Sequence, residues 1–304
     1  FLVLPKIVFK FEGVRKVLNL MAPAIIGSAV VQINLLIDSV VASLLAAGGI
    51  SWLYYSDRLV EFPLGVFGIA IATVILPNLS KKFSNEDLGG FKKTIKYAIS
   101  LAIVFSLPAM FGLIILSQNI IASLFQYGSF DSFDTSMSSL SLIAYSIGLP
   151  AFIIMKVLLT GFFSRQDTKT PVKYGIYAII FNVAMNLTVV IYYTYNPFVG
   201  AHAFLALATS LSAWIQVILL YSHLQKIEII PKNLFLNSLN LKVLLSCFFM
   251  AILLLTILMP IDIWTTKEYY IRGLLLLFYI AIGGIAYIAS IYALGFRYKK
   301  DLSI

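Results

Sequence analysis

Long apolar runs separated by short polar segments divide the sequence. They cover residues 17–46, 52–79, 94–116, 136–160, 171–193, 201–224, 239–259 and 271–294. A helix that spans a bilayer needs about 20 mostly apolar residues, whereas a strand of a membrane barrel needs about 10 residues that alternate strictly. The runs are long and do not alternate. The pattern therefore predicts an all-α integral membrane protein, a polytopic bundle of about eight transmembrane helices.

The composition supports a membrane protein and narrows its chemistry. Of the 304 residues, 61% are hydrophobic and only 12% are charged, about half the charged share of a typical soluble domain. The single cysteine, Cys247, lies inside an apolar run, which excludes a disulfide framework and a cysteine-type metal site. Pro63 lies inside the second run, and we expect a bend there because proline removes a helix hydrogen bond.

The basic residues predict how the chain is oriented in the membrane. Of the 22 Lys and Arg residues, 18 precede the first run, flank the loops after runs two, four and six, or end the chain. The other four are Arg58, Lys156, Lys267 and Arg272. By the positive-inside rule, these loops and both termini are cytoplasmic. Anchoring to membrane lipids thus accounts for the net charge of +9, and no nucleic-acid partner is expected.

The inner loops also suggest two parts of unequal size. The longest break on the basic side lies between residues 225 and 240 and contains Pro231. It separates a six-helix lobe, residues 1–224, from a cytoplasmic linker and final helix pair, residues 225–304. Because the chain starts directly on a basic stretch, we expect it to be a piece of a longer protein. On the outer side, residues 117–135 predict an interfacial amphipathic segment, and Trp52 and Trp264 an aromatic belt.

The polar residues inside the apolar runs are the candidates for function. Asp57, Arg58 and Glu61 lie within five residues of the second run, and an ionisable group at this depth costs several kcal/mol unless it is paired or hydrated. One reading is an ion pair that only joins helices, since Arg58 and Glu61 share a helix face at i,i+3. The other is a face turned to water or to an ionic ligand, because one pair would not need three charges.

A second polar group is predicted from depth. At about 1.5 Å per residue, Asp38, Glu61, Asn186 and Thr209 all lie roughly 11–13 Å below the outer ends of their helices. Asn182 precedes Asn186 by one helical turn. Oxygen ligands of this kind suit a hard cation such as Na⁺. A cluster of hydrogen bonds between helices, without an ion, fits the same residues.

Two stretches carry a family resemblance. Residues 54–81 read YYSDRLVEFPLGVFGIAIATVILPNLSK, and residues 161–173 read GFFSRQDTKTPVK. At both places the chain resembles the MurJ (MviN) family of bacterial lipid II flippases. The likeness extends over the whole chain, including FQYGSFDSFD at residues 125–134 and LGFRYKK at residues 294–300.

The resemblance implies a larger transporter of which this chain is the carboxy-terminal part. Family members have fourteen spans: two six-helix lobes with the fold of multidrug, oligosaccharidyl-lipid and polysaccharide exporters, and a final pair that forms a groove for the lipid tail. This chain is similar to spans seven to fourteen. An amino-terminal lobe, absent here, would then be its partner and would supply most of the arginines of the cavity.

The resemblance also assigns roles to the polar residues. Arg58 is expected to meet the pyrophosphate of lipid II, with Asp57 and Glu61 beside it as further substrate-binding residues. A sodium site described in the family falls on four positions, among which Asn186 replaces a carboxylate of some members. Those positions are Asp38, Asn182, Asn186 and Thr209.

The implied function is transport without chemical change. The undecaprenyl-pyrophosphate-linked precursor lipid II would move from the cytoplasmic to the periplasmic leaflet of the bacterial inner membrane by alternating access, with Na⁺ as the one ion implied. A related exporter of drugs or oligosaccharide lipids is the alternative within transport. A membrane enzyme acting on polyprenyl phosphates is disfavoured, because the acidic residues of the outer loops have no histidine base among them. These residues are Asp131, Asp134, Asp262 and Glu268.

Overall fold

The computed structural model describes residues 36–230 and 238–297, together with Gln32. From the first predicted span, residues 17–46, it shows a helix α1 at Leu36–Leu45. The earlier residues of that span, apart from Gln32, and both predicted cytoplasmic termini lie outside the described residues.

Helices account for nearly all of the described chain. After α1 come α2 (Gly49–Pro63), a π-helical segment (Leu64–Ile69), α3 (Ala70–Ser84), α4 (Leu88–Ile115), α5 (Ser117–Phe125), α6 (Ser132–Phe163), α7 (Lys169–Tyr195), α8 (Ala201–Lys226), α9 (Ser238–Ile257), α10 (Ile261–Thr265) and α11 (Tyr269–Ala293). Seven spans in these ranges are long and apolar enough to cross a membrane, with α2 and α3 continuous over Gly49–Ser84. Each matches a predicted run; the largest difference is at α4, which begins at Leu88 instead of residue 94.

The span formed by α2 and α3 is irregular at its centre. Pro63 ends α2, and the next residues, Leu64–Ile69, form a π-helical turn. A proline cannot donate the helical hydrogen bond, and a wider turn accommodates the carbonyl groups that this leaves. Phe67 in this turn stacks on Phe105 of α4, with ring centroids 4.9 Å apart. The bend expected at Pro63 stays a prediction; the structure shows a π-helical turn directly after this proline, packed against α4.

Helix α6 is the centre of the bundle and packs against α2, α4 and α8. Close approach to α8 depends on small residues. A Cβ added at Gly148 would lie 2.6 Å from Oγ of Ser210, and that hydroxyl donates a hydrogen bond to the carbonyl of Ala144 at 2.7 Å. Hydroxyls bonded to a neighbouring helix satisfy polar atoms that lipid could not. Helix α6 thus fixes the positions of α2 and α8.

The final helices form a separate layer on α4 and α5. Helices α9 and α11 pack against each other, and the Tyr287 hydroxyl of α11 donates to the Val104 carbonyl of α4 at 2.8 Å. Trp264 of α10 is fully buried and donates to Oγ of Ser123 in α5 at 3.0 Å. The prediction of a lipid-facing aromatic belt is therefore wrong for Trp264. Helix α5 is present as predicted, but much of it is covered by protein.

The basic loops come together at one end of the bundle. Nζ of Lys82, in α3, donates to the Gly90 carbonyl of α4 at 3.1 Å. The Arg165 guanidinium, which follows α6, lies 5.9 Å from the centre of the Phe83 ring. These contacts join loops that the charge pattern assigns to one membrane side. We call this the basic end and the opposite one the outer end.

Candidate functional site

The charged residues of α2 form one cluster around Arg58. One guanidinium nitrogen lies 3.0 Å from Oδ2 of Asp57, and the other lies 2.7 Å from Oε2 of Glu61. The guanidinium carbon is 5.3 Å from the centre of the Tyr54 ring. All four residues lie on α2, so one helix positions the whole cluster, which we call the α2 charged cluster.

This cluster is open, although it lies within a membrane span, Gly49–Ser84. The exposed fractions of the side chains are 48% for Arg58, 34% for Asp57 and 50% for Glu61. Tyr54 and Phe62, on neighbouring turns, are also exposed. Three partly exposed charges cannot face hydrocarbon at an acceptable free energy. This face of α2 must therefore meet water, further protein or an ionic ligand.

The second polar group is closed. Nδ2 of Asn186 donates to Oδ1 of Asp38 at 2.6 Å and to Oδ1 of Asn182 at 3.0 Å. Nδ2 of Asn182 donates to Oγ1 of Thr209 at 3.1 Å, and that hydroxyl lies 3.5 Å from Oδ2 of Asp38. Asp38, Asn182 and Asn186 are all buried. We call these four residues the buried polar cluster.

The fold explains how this cluster assembles. Asn182 and Asn186 are one turn apart on α7 and so point to the same side. Asp38 comes from α1 and Thr209 from α8, which packs along α7. Three of the residues that the depth argument placed at one level, Asp38, Asn186 and Thr209, therefore lie together, and Asn182 joins them through its one-turn spacing from Asn186. Glu61, assigned to the same level, instead pairs with Arg58 on α2.

The donor chemistry of the buried polar cluster fits a monovalent hard cation. It holds one carboxylate, two amide oxygens and one hydroxyl, all oxygen ligands. In the described residues no group of three His, Cys, Asp or Glu side chains could hold a metal. A divalent ion, which needs more negative charge around it than one carboxylate, therefore finds no such group of ligands among these residues. The present hydrogen bonds close the cluster without an ion. Both readings of the sequence therefore remain consistent with the geometry.

Sequence reasoning missed a contact group at the outer end. Nε1 of Trp52 donates to Oδ1 of Asp134 at 2.7 Å, and the Trp52 ring packs 4.7 Å from the ring of His202. Asp131 and Asp134 form a capping box at the start of α6. Trp52 and His202 are buried, so the prediction that Trp52 belongs to an interfacial aromatic belt is wrong. The spacing of the two aspartates is the one sequence signal that could have found the cap.

The seven apolar spans and the polar groups within the bundle define a helical integral membrane protein. The structure is similar to the outward-facing conformation of a multidrug resistance MATE family transporter of the MOP superfamily, with a TM-score of 0.60, 14% identity, and coverage of 90% of this chain and 63% of that one. At this identity the likeness concerns the fold alone. It agrees with the exporter-like helical fold expected from the sequence.

The family is more specific. The family model for the lipid II flippase MurJ matches residues 1–279, and the chain belongs to this family. A probable lipid II flippase MurJ of Vibrio cholerae is 44% identical over 98% of this chain and 55% of its own length. The corresponding Haemophilus influenzae protein is 39% identical over 97% of this chain and 58% of its own length.

A solved structure supports the same assignment. It is a lipid II flippase MurJ in an inward closed conformation, with a TM-score of 0.74, 26% identity, and coverage of 99% of this chain and 58% of that one. The family expected from residues 54–81 and 161–173 is thereby confirmed. The chain spans about half the length of the curated relatives that it matches.

Proposed function

We propose that this chain forms the carboxy-terminal part of a transporter that flips lipid II from the cytoplasmic to the periplasmic leaflet of the bacterial inner membrane. The observation that carries the proposal is the half-exposed α2 charged cluster in a span that is otherwise apolar. Relatives named lipid II flippase match nearly the whole chain. A pyrophosphate cannot cross about 30 Å of hydrocarbon unaided, so a charged face closed to one side at a time supplies its path.

Arg58 is the residue that meets the pyrophosphate. Its guanidinium can hold two phosphate oxygens at once and stays ionised when water is removed. In the structure the same nitrogens contact Asp57 and Glu61, both partly exposed. The two carboxylates hold the guanidinium in place until phosphate replaces one of them. Exchange of partners at Arg58 then binds and releases the head group.

The two parts of the chain have different tasks in this proposal. Residues 1–224 form the six-helix lobe that faces an amino-terminal lobe across the cavity, and lobe motion around a midplane site gives alternating access. Residues 225–304 supply the groove for the lipid tail. Large apolar side chains exposed on α9 and α11, such as Phe249, Ile252 and Leu277, support this assignment.

The buried polar cluster is proposed as the sodium site that couples to this motion. Asp38, Asn182, Asn186 and Thr209 would hold the ion through their oxygens, and the ion would supply positive charge beside the one carboxylate. Since these residues come from α1, α7 and α8, occupancy would change how tightly the three helices are joined. Asp38 is the single formal charge of the set, so the site would be weak.

A transport assay tests the role of Arg58. Full-length protein is reconstituted in vesicles with fluorescent lipid II, and its movement between leaflets is followed together with its chemical integrity. Arg58→Ala is expected to abolish transport, and Arg58→Lys to reduce it nearly as strongly, because lysine keeps the charge but loses the planar fork. Arg297→Lys, a matched change at the basic end, is expected to transport normally.

Two results would contradict the proposal. If Arg58→Ala transports lipid II at the normal rate, the pyrophosphate does not depend on this cluster. If the recovered lipid is chemically altered, the protein is an enzyme.

A further inference from the structure

Tyr54 is the one member of the α2 charged cluster to which the proposed function gives no role. The residue is 58% exposed, and it precedes Arg58 by one helical turn, so both side chains lie on the same side of α2. The guanidinium carbon of Arg58 lies 5.3 Å from the centre of the Tyr54 ring. Among the described residues, no group exchanges a hydrogen bond with the Tyr54 hydroxyl. An aromatic ring and its hydroxyl are therefore accessible directly beside the proposed pyrophosphate site.

The backbone on both sides of Tyr54 is fastened to α6. Two residues before it, Nε1 of Trp52 donates to Oδ1 of Asp134 at 2.7 Å. Two residues after it, Oγ of Ser56 donates to the Ser138 carbonyl at 2.7 Å. Trp52 and Ser56 are both buried. Because these bonds hold the helix on either side, the exposed ring stands on a fixed support, and little free energy is lost in ordering it when a ligand binds.

Further aromatic rings support Tyr54 from the side. The Tyr54 and Tyr55 rings pack edge to face, with centroids 5.9 Å apart. Tyr55 in turn packs 4.6 Å from the ring of Phe125 and 5.4 Å from the ring of Phe130. Aromatic pairs prefer defined relative orientations, so this chain of contacts limits the rotation of the Tyr54 ring. The ring is therefore held in a defined orientation as well as at a defined place.

This combination of groups favours a sugar ring over a hydrocarbon chain. A pyranose has C–H groups on its faces, which can contact the negative face of an aromatic ring, and hydroxyls at its edge, which can pair with the hydroxyl of Tyr54. A hydrocarbon chain on the same ring would remove water from this hydroxyl and from the charges beside it without replacing their hydrogen bonds. The ligand that satisfies both Tyr54 and Arg58 is therefore a sugar bonded to a phosphate.

We propose that Tyr54 binds the sugar ring that is bonded directly to the pyrophosphate of the transported lipid. The inference rests on the proposed function, because it needs the pyrophosphate at Arg58. A single oxygen atom joins such a sugar to its phosphate, and this short link agrees with the direct contact between Arg58 and the Tyr54 ring. Arg58 then supplies the charge that any polyprenyl pyrophosphate requires, and Tyr54 distinguishes the lipid that carries a sugar from the lipid that does not.

The test compares two lipids in one binding experiment. Purified full-length protein is titrated with lipid II and with undecaprenyl pyrophosphate, which has the same tail and pyrophosphate but no sugar. Both affinities are measured by native mass spectrometry, and their ratio gives the preference for the sugar. Tyr54→Leu is expected to lower this preference about fivefold, the contribution of one aromatic contact. The affinity of Tyr54→Leu for undecaprenyl pyrophosphate is expected to stay within about twofold of the original, because Arg58 is retained.

Two further variants show whether the ring itself is responsible. Tyr54→Phe keeps the ring and removes only the hydroxyl, so it is expected to restore most of the preference for lipid II that Tyr54→Leu loses. Tyr195→Leu is the matched control, because Tyr195 is an 80% exposed tyrosine at the outer end of α7 and has no part in the α2 charged cluster. Both of its affinities are expected to stay within about twofold of the original.

A packing role for Tyr54 against the amino-terminal lobe predicts a different result. In that case Tyr54→Leu would lower the affinities for lipid II and for undecaprenyl pyrophosphate by the same factor, because both lipids need the same arrangement of the lobes. The thermal midpoint of the protein without lipid would fall as well. A preference that stays unchanged in Tyr54→Leu would therefore overturn the proposal, whatever happens to the separate affinities.

Arg58→Ala separates a failure of this inference from a failure of the proposed function. It is expected to lower the affinities for both lipids, since both carry the pyrophosphate. If it does so while Tyr54→Leu leaves the preference unchanged, the pyrophosphate site stands and the sugar is not bound by Tyr54. If Arg58→Ala leaves both affinities unchanged, the pyrophosphate does not bind here, and the proposed sugar contact is wrong together with it.

Discussion

The two polar groups inside the membrane differ in how their partners are arranged. In the α2 charged cluster, Arg58 contacts Asp57 and Glu61 on its own helix, and all three side chains are partly exposed. In the buried polar cluster, Asp38 is buried and accepts hydrogen bonds from Asn186 of α7 and Thr209 of α8. Among the described residues, the ion pairs of the α2 charged cluster stay within one helix, whereas the buried polar cluster joins three helices.

The difference indicates which cluster can exchange partners. An exposed guanidinium gives up a carboxylate for a phosphate at small cost, because both states are solvated. A buried carboxylate gives up an amide only if another group takes its place. The α2 charged cluster is therefore suited to repeated binding of a ligand. The buried polar cluster is suited to holding helices together, or to holding an ion that replaces its hydrogen bonds.

The largest effect on stability is expected in the buried polar cluster. Asn186→Leu keeps the volume but removes the amide that donates to oxygens of Asp38 and Asn182. The free energy of unfolding should fall by about 3 kcal/mol, since a buried charge loses its main hydrogen bond. Denaturation of the purified full-length protein by detergent titration measures this loss.

Thr188→Val is the control for that prediction. Thr188 lies on the exposed side of the same helix, and its hydroxyl donates to the Ala184 carbonyl one turn earlier. A change below about 0.5 kcal/mol is expected, as for other substitutions away from buried contacts. Equal losses for Thr188→Val and Asn186→Leu would mean that the buried cluster contributes no special stability.

Much of this arrangement follows from the sequence. The spans were predictable because about 20 apolar residues must cross the hydrocarbon, and few other patterns satisfy that condition. Matched depth was enough to group Asp38, Asn186 and Thr209, since polar residues in a span must find partners. It also included Glu61, which pairs with Arg58 instead, and Asn182 followed from its spacing to Asn186. The pairing of Arg58 with Glu61 followed from their spacing on one helix.

Contacts between distant segments were not predictable in this way. Trp52 and Trp264 sit at helix ends, where a tryptophan usually faces the interface. Only the packing of α2 on α6, and of α10 on α5, shows that both are buried with hydrogen-bonded indole groups. No periodicity in a single run contains that information.

A smaller effect is expected from sodium. If the buried polar cluster holds Na⁺, the folded full-length protein should be more stable in sodium than in choline, by about 1.4 kcal/mol at ten times the dissociation constant. Asp38→Asn should remove this difference, because it removes the one formal charge. The measurement is the thermal midpoint as a function of salt, at constant ionic strength.

Thr188→Val should respond to sodium as the unmodified protein does, since it leaves the cluster intact. Identical midpoints in sodium and choline, with no change on Asp38→Asn, would leave the hydrogen-bonded cluster without an ion as the better account. The buried polar cluster would then have a structural role, in contrast to the proposed ligand-binding role of the α2 charged cluster.

At the α2 charged cluster, a small effect on stability is expected where the effect on transport is largest. Arg58→Ala removes contacts to Asp57 and Glu61, but partly exposed ion pairs contribute only about 0–1 kcal/mol. The two carboxylates remain partly exposed and can be hydrated. The free energy of unfolding should therefore change by less than about 1 kcal/mol, measured as for Asn186→Leu. A loss as large as that of Asn186→Leu would show that Arg58 is a structural residue, and a failure of Arg58→Ala in transport would then no longer be evidence for pyrophosphate binding.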